Sequence, residues 1–184
     1  MQAIAYSGLY RGAKPSQRET LQALWRHTIA TAQAAHDIAA KKCPQDADEL
    51  FLAGLLHDLG AVLLTNIIAL SPVTRSSRLR EEPALAHDFE VRYHALAGIH
   101  AISERSLPNA FAFTTYFHPN PWDLPIAQSR QHVLIVRLAE RVAEACGYEF
   151  DGGDEVLSFE DPEVAELELS SEDLDSLQTT VKEK

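Results

Sequence analysis

Apolar residues recur at helical spacing along most of the chain. After Pro15, Ser16 and Glu19, which suit a helix start, Leu21, Leu24, Trp25, Thr28, Ile29, Ala32, Ala35 and Ile38 keep one period and predict a helix from about Ser16 to Lys41. Pro44 breaks it. Asp46 or Asp48 can cap a short apolar helix carrying Leu50, Phe51, Gly54 and Leu55, with His57 and Asp58 near its end. Gly60 punctuates the chain before Ala61–Leu70, which is apolar almost all round and is expected to form the centre of the core. Beyond a polar loop opened by Ser71-Pro72, three helical patterns follow over 84–93, 94–104 and 108–117, with Pro108 suited to a first turn. Three prolines within 118–125 impose a loop, 128–146 resumes as a long helix, and Gly147, Gly152 and Gly153 end it. Ser170 to Asp173 read as the cap of a final helix bearing Leu174, Leu177 and Val181. Only Val156–Phe159 hints at β-alternation. The pattern predicts an all-α single domain of about six to eight helices. Residues 1–15 form a lead-in, 16–148 the helical domain, and 149–184 an extension ending in a helix.

A chain of 184 residues with 46% hydrophobic content supports one ordinary core. Its net charge of −11 is unevenly spread: residues 149–184 hold 13 of the 27 acidic residues against only Lys182 and Lys184, so the preceding residues sum to zero. A neutral body with an acidic end lacks the clustered Lys and Arg that phosphate backbones require, which argues against a nucleic-acid partner. The acidic segment itself reads as a solvated surface. No run of eighteen apolar residues and no secretory start appear, so a cytoplasmic location without membrane contact is expected. Cys43 and Cys146 stand far apart without a metal or redox motif and read as plain thiols.

Eight histidines then change the picture. His57-Asp58 puts an imidazole and a carboxylate on an otherwise apolar helix, where an unpaired charge is expensive. Either a bond to a neighbouring helix or a divalent metal satisfies it, and this donor pair suits Mn, Fe, Ni, Zn or Mg. His36, His87, His100 and His132 lack comparable context and are expected at the surface or in satisfied core positions; Trp25 and Trp122 are expected to pack.

The runs Leu24-Trp25-Arg26-His27, Gly54-Leu55-Leu56-His57-Asp58-Leu59-Gly60, His94-Ala95-Leu96-Ala97-Gly98 and Leu107-Pro108 resemble, in order and spacing, the HD superfamily, and more narrowly its signalling-output group, HDOD. The resemblance covers about residues 20–146. It implies an HD-type helical domain with His27, His57 and Asp58 as metal ligands, His94 and His118 as additional ligands, and Glu140 where a later Asp is expected. His57 and Asp58 would be the catalytic pair of any hydrolase. Three departures bear on that activity. Ala61 stands where the two-metal cyclic-dinucleotide phosphodiesterases carry Lys, Pro119 follows His118 where they have a second His, and their Gly-Tyr-Pro signature is missing. The resemblance therefore implies a signal-transduction or regulatory module without robust catalysis. The alternative is a metal-dependent phosphohydrolase acting on a nucleotide, cyclic dinucleotide or other phosphoester. Related regions usually begin with further helices before the Trp-bearing one, which raises the expectation of a homodimer or other protein partner. Its contact surface would lie around Phe111, Phe113, Tyr116, Phe117 and Trp122, and a nucleotide-like small molecule is the other expected partner.

Overall fold

The computed structural model describes residues 15–70, 78–105, 107–125, 127–149 and 157–183. In chain order the helices are α1 (Pro15–Lys42), α2 (Ala47–Leu56), α3 (Leu59–Leu70), α4 (Arg78–Glu81), α5 (Pro83–Glu104), α6 (Asn109–Phe117), α7 (Ala127–Ala145), α8 (Pro162–Glu166) and α9 (Ser171–Lys182). Short 3₁₀ turns occupy Pro44–Asp46 and Pro121–Asp123. The fold is all-α; among the described residues there are seven helices, with α4 and α8 as added single turns, and no strand. Leu157 to Phe159 accordingly form coil and turn. Val156, the Ser71-Pro72 loop, Gly152-Gly153 and the lead-in through residue 14 lie outside the described residues.

The core gathers around α1 and α7 rather than α3. Val133, Leu134, Ile135, Val136, Leu138, Ala139, Val142 and Ala143 of α7 are all buried, and all but Val133 share one cluster with Ala34, Ala35, Ile38 and Ala39 of α1. By contrast Ile67 and Leu70 of α3 are 52% and 58% exposed. Uniform hydrophobicity misplaced the centre, because α3 buries one side against α5 and a small cluster of Leu21, Leu24, Ala61 and Val62, while α7 is buried along most of its length between Val133 and Glu144. The stretch Pro44–Leu70 has the length and mean hydropathy, 1.7, to cross a membrane, yet 67% of its most apolar window lies inside the fold. The His57–Asp58 turn divides it.

Small residues set how closely the helices approach. A Cβ on Gly54 would stand 2.8 Å from the Ala32 Cα, so α1 and α2 touch backbone to backbone. Gly60 does not interrupt the chain as expected but sits in the first turn of α3, where a Cβ would lie 1.8 Å from the His94 carbonyl oxygen. The expected break between 93 and 94 is likewise absent: α5 runs through it unbroken, packing on α3, α4 and α6.

The acidic end is not simply solvated. Arg141 Nη1 pairs with Asp161 Oδ2 at 2.9 Å and with Glu163 Oε2 at 3.3 Å, and Lys41 pairs with Asp173. Val164, Leu167, Leu169, Leu174, Leu177 and Val181 join the main core. Each such buried side chain contributes about 1.5–3 kcal/mol, so this segment is held by apolar contact more than by its charges. Ser170 caps α9 as expected, its hydroxyl accepting from the Asp173 N–H while the Asp173 carboxylate accepts from Ser170.

Candidate metal centre

All six expected ligands converge. His27 comes from the middle of α1, His57 and Asp58 from the α2–α3 turn, His94 from α5, His118 from just beyond α6, and Glu140 from α7. Asp58 is the hub. Its Oδ2 lies 3.5 Å from His27 Nε2 and 3.4 Å from His57 Nε2; its Oδ1 lies 3.7 Å from both His94 Nε2 and His118 Nε2. Glu140 Oε1 approaches His118 Nε2 at 3.9 Å, and its ligand atom also groups with those of His27 and His57 within 4.8 Å. His36, His87, His100 and His132 stand outside. His100 is exposed and the other three are half-buried.

The backbone fixes which nitrogen faces inward. Nδ1 of His27 donates to the Tyr148 carbonyl at 2.7 Å, that of His57 to Gly54 at 2.7 Å, that of His94 to Val91 at 2.8 Å, and that of His118 to Thr115 at 3.0 Å. A carbonyl only accepts, so each Nδ1 carries a proton, and in its neutral form each ring turns a bare Nε2 lone pair to the centre. His27 and His57 then oppose lone pairs at 3.2 Å, and His94 and His118 at 3.3 Å. Such pairs need a cation between them. Protonation supplies it poorly at His118, whose imidazole is pushed down to about 4, first by burial, with Glu140 and Asp58 opposing that shift.

Charge argues the same way. Burial raises the Asp58 carboxyl, and it is positive charge on the four surrounding imidazoles, His57 first, that would hold it well below the usual carboxylate range. Glu140 is also lowered, with burial outweighed by His118 and Arg137. Two buried carboxylates thus face one guanidinium, Arg137 Nη1 at 3.0 Å from Glu140 Oε2. A divalent ion would supply the missing positive charge that a buried site requires. The donor set of imidazole nitrogens and carboxylate oxygens, oriented by carbonyls behind it, fits such an ion chemically.

Other features bear on access. His27, His57, Asp58, His118 and Glu140 are all buried, and only the His94 side chain, 15% exposed, reaches solvent appreciably. Ala61 is fully buried with Leu21, Leu24 and Val62. Arg92 and Arg26 are exposed, and Arg141 is engaged by Asp161 and Glu163. The sequence offered Arg137 beside Arg26, Arg92 and Arg141 without placing any of them on the site, and did not point to the four carbonyls. The Tyr148 carbonyl had one signal, Gly147 as a helix stop. With φ +89°, Gly147 closes α7 by donating to Glu144 while Tyr148 donates to Ala143, turning the chain back toward α1.

An all-helical domain that brings a His-Asp turn and three further histidines to one buried point defines a protein of the HD-superfamily class. The HDOD domain model matches residues 1–121, and the chain belongs to the HDOD family. It is similar in fold to an HDOD domain protein of unknown function from Geobacter sulfurreducens, with a TM-score of 0.68 and 22% identity over 98% of this chain and 68% of that one. No curated protein matches the chain.

Proposed function

We propose that this HDOD domain is a cytoplasmic regulatory module of bacterial-type signal transduction, whose six-residue cluster holds divalent metal as a buried structural or sensing centre. The observation that carries this reading is the closure of the cluster: five of its six residues are buried. Glu140 is shared with Arg137, and the Ala61 position contributes to an apolar cluster rather than a cationic phosphate contact. The output would pass to a protein partner or second copy of the chain. Phe111 is core, but Tyr116 and Trp122 are 41% and 42% exposed and provide an aromatic surface for such contact.

One observation favours a second reading, a metal-dependent phosphohydrolase. Asp58 divides its two oxygens between two histidine pairs, an arrangement suited to two adjacent ions. Bound there, metal supplies Lewis-acid polarisation of a phosphoryl oxygen and an activated water. His94, as the edge most open to solvent, would be the side from which a phosphoester arrives.

The test is metal content of protein purified without chelator, compared with a His57→Ala/Asp58→Ala variant, then turnover on cyclic dinucleotides, nucleotides and an activated phosphodiester. Metal bound by wild type, lost in the variant and unaccompanied by turnover is the expected result. Metal with turnover would replace the regulatory reading by the hydrolase. Absence of metal from both proteins would remove the ligand assignment itself.

A further inference from the structure

A second group of metal-ligating atoms lies away from the cluster. Cys43 Sγ, a carboxylate oxygen of Asp46 and a ring nitrogen of His132 all lie within 4.8 Å of one another. Cys43 directly follows α1, Asp46 ends the 3₁₀ turn, and His132 belongs to α7. The turn is well fixed. Pro44 restricts its backbone, the Cys43 N–H donates to Ala39 at 2.7 Å, and the Asp46 N–H donates to the Cys43 carbonyl at 2.9 Å. Instead of capping α2, the Asp46 carboxylate accepts from His132 Nε2 at 3.1 Å and from Gln45 Nε2 at 3.2 Å. Cys43 is 4% exposed, whereas the Asp46 and His132 side chains are 29% and 27% exposed, leaving one side of the trio open to water.

We infer that Cys43, Asp46 and His132 form a zinc site that clamps the α1–3₁₀ corner to α7, with water as the fourth ligand. Sulfur, imidazole and carboxylate around a tetrahedral ion match zinc, for which bonds of about 2.0–2.3 Å place neighbouring ligand atoms roughly 3.3–3.8 Å apart. The His132–Asp46 separation of 3.1 Å needs slight widening, and the distances to Cys43 Sγ, within 4.8 Å, at most a modest contraction. Binding replaces the Cys43 thiol proton, released to solvent, by a sulfur–zinc bond. His132 gives up its bond to Asp46, moves its ring proton to Nδ1 and turns the Nε2 lone pair to the ion. The site is independent of the six-residue cluster: His132 precedes Glu140 by two turns of α7, about 12 Å along the axis.

Cobalt distinguishes the two sites, because only this one has sulfur. Titrating Co²⁺ into the full, chelator-stripped chain should give a thiolate-to-cobalt charge-transfer band in the near ultraviolet. It should reach the amplitude of one thiolate-bound cobalt per chain, disappear on adding Zn²⁺, and be retained in Cys146→Ser. Cys43→Ser should abolish it. Since Cys43 is buried and its replacement could perturb folding, the half-exposed His132→Ala provides the second variant, expected to weaken cobalt binding at this site by at least about tenfold. Zinc should also slow labelling of Cys43, but not Cys146, by a thiol reagent. A wild-type titration without the band, or a band that survives Cys43→Ser or is unweakened in His132→Ala, would overturn the assignment.

Discussion

Gly60→Ala tests whether the α3–α5 crossing positions the metal centre. In an unpacked helix this substitution stabilises by about 1 kcal/mol, because alanine loses less backbone freedom. Here the new Cβ would stand 1.8 Å from the His94 carbonyl oxygen, 2.7 Å from its carbon and 2.6 Å from the Gly98 nitrogen. All three are backbone atoms, so no side-chain rotation relieves the clash. Restoring contact at about 3.5 Å requires the helices to part by roughly 1.7 Å. Overpacking typically costs about 1–3 kcal/mol, and a backbone clash belongs at or above the upper end, so repulsion outweighs the helix preference. A net loss of about 2–3 kcal/mol lowers Tm by roughly 4–12 °C for a chain of this length. The struck atom belongs to His94, so bound metal should fall as well. Gly98→Ala is the control: its Cβ would meet the Thr115 Cγ2 methyl at 2.4 Å, and adding Thr115→Ser removes that methyl. Thermal melts with metal analysis on the same samples decide the matter. A Gly60→Ala protein with wild-type Tm and full metal would refute the reasoning.

Three further outcomes follow from single interactions. Glu90 is buried beside Thr65, its Oε1 2.8 Å from the Thr65 hydroxyl, and burial raises its carboxyl pKa above the ordinary 4.5. The stability it contributes is therefore full below 4.5 and is lost as pH rises through the folded value. Glu90→Gln should gain on wild type in urea midpoint from acid to neutral pH; a gap that stays flat or narrows contradicts the sign. Gly147→Ala meets no atom within 4 Å, yet at φ +89° it should cost about 1–2 kcal/mol and loosen metal through the Tyr148–His27 bond, which melting and metal analysis measure together. Ser170→Ala removes the α9 cap at a cost of about 1 kcal/mol. Hydrogen exchange should show faster opening of α9, with little change in α3 and α5.

The legible part of the fold was whatever a local pattern determines. Helix α1, the 118–125 break and the Ser170 cap all rest on spacing, proline or capping chemistry within a few residues, whereas the six candidate ligands came from the family resemblance. What was illegible depends on partners distant in sequence. Gly60 looks like a helix stop until His94 is seen against it, and Ala61–Leu70 looks central until the buried row of α7 from Val133 to Ala143 is seen. The acidic extension looks solvated because charge hides the Val164, Leu167 and Leu174 row that enters the core. α4 and α8 are too short to carry a period at all.

The candidate metal centre shows the same division within one site. Five of its residues, His27, His57, Asp58, His94 and His118, lie in the segment matched by the family model, residues 1–121. The rest of the arrangement comes from beyond it: Glu140, the Arg137 that shares its charge, and the Tyr148 carbonyl that holds His27. The chain after residue 121 therefore sets how negative the centre is and which His27 nitrogen faces it. Because α7 also packs on α1 and α9, and Arg141 holds Asp161 and Glu163, displacement of the C-terminal segment would be felt at the centre through α7 and the Tyr148 carbonyl. The proposed regulatory role would need such a mechanical link between a buried centre and a surface element. Here it consists of one helix, one glycine turn and one hydrogen bond, all within reach of single substitutions.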